Sequence, residues 1–101
     1  MKARFHVIVT QQAEADLESL TRYIAETVVA PLSAKRYIEH LKEYFVWLEE
    51  FAEILPIQPD SPLYDGFPMR RINYKNVAII YTILGDKVYI YRIVAQSLIT
   101  Y

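Results

Sequence analysis

Arg70, Arg71 and Lys75 fall within six residues and form the one basic concentration in the sequence. Two guanidinium groups and an ammonium at that spacing can hold a carboxylate or a phosphate, the guanidiniums in bidentate fashion. The same charges would also serve to protect a strand edge against pairing with another chain. Few other side chains offer chemistry. His6 alternates with Phe5 and Val7, and no Ser or acid stands at a spacing that would build a triad with it. His40 lies between Glu39 and Leu41, beside an apolar stripe, and reads as a surface residue. Tyr101 ends the chain, where a phenol of ordinary pKa near ~10 reads as an end group rather than an acid or base. With no Cys and only two His, Cys-based zinc sites and disulfides are excluded, and neither metal nor cofactor is expected.

The elements that must position these residues follow from periodicity. Arg4 to Thr10 alternates Phe5, Val7 and Val9 against Arg4, His6 and Ile8, as a half-buried strand does. Thr10 is placed to cap a helix running to about Thr27, with Ala13, Leu17, Leu20, Ile24 and Val28 on one stripe. Pro31 breaks that helix and opens a second, whose stripe is Ala34, Ile38, Leu41, Phe45, Leu48 and Ala52, flanked by Tyr37, Tyr44 and Phe51. A short connection between the two implies a helical hairpin. From Ile54 to Pro68, Pro56, Pro59, Pro62, Pro68 and Gly66 forbid regular structure. Met69 to Tyr74, Val77 to Leu84 and Lys87 to Val94 then read as strands rich in Ile, Val and Tyr. Lys75-Asn76 forms the first tight turn, with Asn76 expected to take positive φ, and Gly85-Asp86 the second, with Gly85 leading. The order β-α-α-β-β-β predicts an α+β fold in which an antiparallel sheet packs against the helical hairpin.

Composition bounds what such a fold does. The chain has 101 residues, 53% hydrophobic and 23% charged, enough for one core and one domain over residues 1–101. A net charge of −1 argues against gripping nucleic acid through charge alone. The charge is uneven: residues 1–54 hold six bases and nine acids, net −3, and residues 55–101 five bases and three acids, net +2. Val77 to Leu84 is too short to cross a bilayer and the N-terminus lacks a signal-peptide core, so the cytoplasm is expected.

These elements and their residues resemble the RelE/ParE superfamily of bacterial type II toxin–antitoxin toxins, and the ParE-like branch best. The matching pieces are VIVTQQAEADLESLTRYIAE, a second helix around RYIEHL, and the hairpin RRINYKNVAIIYTILGDKVYIYRIV. Relatives that cleave RNA on the ribosome place Lys, Arg, Tyr or His on the sheet face and tail, because attack by a 2′-hydroxyl needs a base, cations and an acid. Here Val77-Ala78 and Ala95-Gln96-Ser97-Leu98 stand where such charges are common, which leaves Arg71, Lys75 and Tyr101 as weak catalytic candidates and argues against an enzyme.

The resemblance implies a toxin that acts by binding protein, with DNA gyrase as target and growth arrest as outcome. It also implies a cognate antitoxin whose acidic C-terminal segment folds over it, in a heterotetramer, or with the toxin as a homodimer. Arg70, Arg71, Lys75 and Arg92 are expected to meet that segment, with Tyr89 and Tyr91 as apolar contacts on the alternate face of the last strand. The competing expectation for Arg92 is an inward-leaning side chain paired with an acid. Two other readings stay open: a ribosome-dependent mRNA endonuclease with a rearranged site, and a non-toxic relative that serves only complex formation or operon repression.

Overall fold

Thr10 decides where the first strand stops and the first helix begins. Its side-chain oxygen accepts a hydrogen bond from Ala13 N (3.2 Å) and its carbonyl one from Glu14 N (2.9 Å), the two bonds of an N-cap. The computed structural model describes residues 4–27, 31–57 and 68–95. In them β1 (His6–Val9) leads into α1 (Gln11–Thr27), and α2 (Pro31–Phe51) precedes β2 (Met69–Tyr74), β3 (Val77–Leu84) and β4 (Lys87–Ala95). The expected order of elements is observed. β1 is shorter than its alternation suggests, because the amides of Arg4 and Phe5 both donate to Glu49 O on α2 (2.9 Å each) instead of to the sheet.

The sheet order is β1-β4-β3-β2. Two-residue turns make β2, β3 and β4 an antiparallel meander. β1 has no such turn to fix its direction and adds parallel to β4, His6 opposite Lys87 and Val9 opposite Ile90, so the four-stranded sheet is mixed. Gly85 takes φ +65°, as the second turn requires. In the first turn the positive φ, 52°, falls on Lys75 and not on Asn76.

Both helices cover one face of the sheet. Ala13, Leu41, Leu48 and Ala52 meet Ile72, Val77, Ile79, Tyr81, Val88, Ile90 and Ile93 in the main core. The stripes read from the sequence are therefore the buried ones, with Leu17, Leu20, Tyr37, Tyr44 and Phe45 at their margins. Val28 lies outside the described residues. On the opposite face, Met69, Ala78 and Ile80 form a smaller buried cluster with Tyr91 packed against it. Trp47 packs at the edge of the main core with its ring centroid 5.5 Å from that of Phe51.

Candidate functional site

The pleat sorts the basic and aromatic residues before any partner is considered, because alternate residues of a strand face opposite sides of the sheet. Ile72 and Tyr74 pack on the helix side, so Arg71 points to the outer face and Arg70 toward the helices. Val88 and Ile90 pack on the helix side, so Tyr89 and Tyr91 point outward. Arg71 stands opposite Ile80 on β3, and Tyr91 packs against the cluster of Met69, Ala78 and Ile80. The outer face thus carries one cation and two tyrosines around a buried aliphatic centre.

Arg70 is occupied elsewhere. Its Nη1 donates to the carbonyls of Glu53 (2.9 Å) and Leu55 (2.7 Å), just past the C-terminus of α2, where carbonyls have lost their helical partners and the dipole is negative. Tyr81 OH donates to Ala52 O in the same region (2.7 Å), and burial pushes its pKa up to about 12 despite the nearby Arg70.

Arg92 is also engaged. Its Nε and Nη2 donate to Asp16 on α1 at 2.7 and 3.1 Å, and Ile93 N donates to Asp16 Oδ2 at 2.9 Å. The hydrogen bonds to Asp16 hold the Arg92 guanidinium above its ordinary pKa, against the opposing effect of burial. Of the two expectations for this residue, the pairing with an acid is the one observed.

Lys75 projects from the β2–β3 turn, its Nζ 5.5 Å from the Tyr37 ring centroid and 5.6 Å from that of Tyr74. Tyr37 and Tyr44 in turn pack on Tyr74, at centroid distances of 5.2 and 5.6 Å. Burial, and then Tyr74, raise the Tyr37 pKa, so its hydroxyl keeps its proton at neutral pH. Lys75 and Tyr37 line an open groove of about 1110 Å³ between α1, α2, the β2–β3 turn and the end of β4. Arg36 and His40 lie on the same groove, with Ile24 and Ile93 among its apolar lining. Its one lining carboxylate, Asp16, already accepts three hydrogen bonds, so among the lining side chains the His40 imidazole is the one of a type that serves as a general base. Tyr101 lies outside the described residues.

The sequence pattern of the ParE toxin of the type II toxin–antitoxin system, parDE, matches residues 7–98. The chain belongs to the ParE toxin family. No curated protein matches it. A solved chain from the chromosomal ParDE TA system of P. aeruginosa superimposes with a TM-score of 0.74 at 18% identity, over 91% of this chain and 96% of that one. This ParE-family chain therefore has the ParE fold and, in the described residues, no helix long and apolar enough to cross a membrane. Sequence reasoning passed over Asp16, Arg36 and Tyr37 as site residues. Asp16 sits at helical spacing among exposed acids such as Glu14 and Glu18, and nothing local marks it as the one that reaches β4.

Proposed function

We propose that this ParE-family toxin arrests growth by binding a protein target, DNA gyrase, in the cytoplasm, and that a cognate antitoxin neutralises it by covering the same surface. That surface is the outer sheet face with Arg71, Tyr89 and Tyr91. Tyrosine gives large contact area at low conformational cost and Arg adds bidentate pairing, the make-up of interface anchors. The observation that carries this reading is the sorting by the pleat: Arg71, Tyr89 and Tyr91 share a face that neither helix covers. Arg70 and Arg92, spent on Glu53, Leu55 and Asp16, support that surface from within.

The test is inhibition of gyrase supercoiling by the purified protein, together with growth on induced expression in a bacterial host. Inhibition, and arrest relieved by co-expressing the product of a small acidic neighbouring reading frame, are expected. Harmless expression without any antitoxin would favour the non-toxic reading. A second reading, RNA cleavage, draws on one observation: His40, Arg36 and Lys75 line a single groove. Codon-phased cleavage of translated messages, abolished by His40→Ala, would select it over gyrase binding.

A further inference from the structure

β4 carries one residue more than β3 can pair. Tyr81 stands opposite Ile90 and Ile80 opposite Arg92, which leaves Tyr91 as the extra residue of a β-bulge. The bulge sets which side chains face out. After Ile90 the next residue on the helix side is Ile93; without the extra residue it would be Arg92, and a guanidinium would enter the aliphatic core.

Two side chains of the β1–α1 segment hold this irregularity, at the point where β1 ends and leaves the β4 edge. The Thr10 hydroxyl hydrogen is shared between the carbonyls of Ile90 (2.8 Å) and Tyr91 (3.2 Å), and Thr10 N also donates to Ile90 O (3.2 Å). One turn and a half further along α1, Asp16 takes Ile93 N and both donors of Arg92. A carboxylate here does what the next residues of β1 would have done for the strand edge, and it grips the guanidinium in the same place. Asp16 is only 11% exposed.

We infer that Asp16, seconded by Thr10, is a positioning residue for the partner surface: it pins the bulge that keeps Arg92 out of the core and Ile93 off the outer face beside Tyr91. The inference rests on the proposed role of that face. With the carboxylate gone, Ile93 N–H and Arg92 lose their acceptor together, and the end of β4 is released to shift by one residue. Such a shift exchanges Arg92 and Val94 with Ile93 and Ala95 across the sheet.

The experiment compares the full chain with Asp16→Ala, Asp16→Asn and Thr10→Val by NMR, and measures gyrase supercoiling inhibition and growth arrest on the same proteins. Expected for Asp16→Ala are a folded protein, loss of the cross-strand nuclear Overhauser contacts between Ile93 and Ile79 with new ones between Ile93 and Ala78, faster exchange of the Ile93 amide, and a half-inhibitory concentration raised at least ~10-fold. Asp16→Asn keeps one acceptor for Ile93 N and is expected to restore part of both readouts. Should Asp16→Ala be unfolded, Thr10→Val asks the same question of the bulge. Ile93–Ile79 contacts and Ile93 protection unchanged in the variants would overturn the inference whatever the activity, and so would a lost bulge with full inhibition. A wild-type protein inactive in both assays overturns instead the functional reading, and the partner surface with it.

Discussion

Arg70 shows how a residue marked out by its charge acquires a structural task once its neighbours are known. It supplies the positive charge that α2 lacks in its own last turn. Removing it in Arg70→Ala deletes two charge-assisted bonds at a partly exposed site and should cost about 1–2 kcal/mol in urea denaturation. Arg70→Lys should recover part of that loss, and gyrase inhibition per folded molecule should stay near the wild-type value. Tyr81 makes a sharper case because it is fully buried. Tyr81→Phe leaves the Ala52 carbonyl without this donor and should cost about 1–2 kcal/mol at pH 7. The pH dependence has a definite sign. Tyr81 titrates near 10 when unfolded and at about 12 when folded, so above pH 10 the unfolded chain binds fewer protons than the folded one. The stability contributed by the neutral phenol is thus complete below pH 10 and is lost as pH rises through 12. Wild type should lose up to about 1.4 kcal/mol per pH unit relative to Tyr81→Phe in that window. A stability difference that stays constant from pH 8 to 11 in paired denaturation curves would contradict the assigned burial.

At the scale of elements, the β2–β3 turn stores strain that the β3–β4 turn avoids. Lys75 holds a φ of 52°, a conformation that costs a residue with a Cβ about 1 kcal/mol, whereas Gly85 adopts its φ of 65° without that cost. The Lys75 ammonium above Tyr37 and Tyr74 offsets part of it, at about 0.5–1 kcal/mol for an exposed cation–π pair. Lys75→Ala keeps the strain and loses the stacking; Lys75→Gly loses both. The glycine variant should therefore be the more stable of the two by about 1 kcal/mol in thermal unfolding, and the reverse ranking would show that the turn is unstrained. The contrast between the two turns also marks where the sequence was legible. Thr10 acts through a bond to Ala13, Pro31 through the amide hydrogen it lacks at a helix start and Gly85 through its own φ of 65°, so their effects on helix starts and a hairpin could be read locally. The parallel docking of β1, the extra residue Tyr91 and the fates of Arg70 and Arg92 depend on residues 15 to 81 positions distant. No spacing within β4 distinguishes a bulged strand from a regular one. The tyrosines of the outer face were legible as a pair because alternation survives up to Tyr91, and Arg92, one residue past the bulge, is where that reading became ambiguous.

For the whole molecule, the charge split follows the architecture. The half that contains β1 and both helices carries net −3 and the half that contains the meander net +2, so the helix layer and the sheet are oppositely polarised despite an overall −1. A partner that approaches the outer sheet face with acidic groups is drawn toward Arg71 and repelled from the net-negative helices, which favours one docking orientation over the reverse. Attraction of this kind acts mainly on the rate of encounter and is screened beyond about 8 Å at physiological salt. The apolar contacts of Tyr89 and Tyr91 form after encounter and act on the rate of dissociation. Stopped-flow binding of gyrase or of the purified antitoxin should therefore show an association rate that falls about tenfold between 50 and 500 mM salt, with dissociation nearly constant. Arg71→Glu should flatten that salt dependence, whereas Tyr91→Ala should leave the association rate intact and speed dissociation. Were Arg71→Glu to leave the salt slope unchanged, the charged half of the sheet would not be the face presented to the partner, and docking through the helix layer would have to be considered in its place.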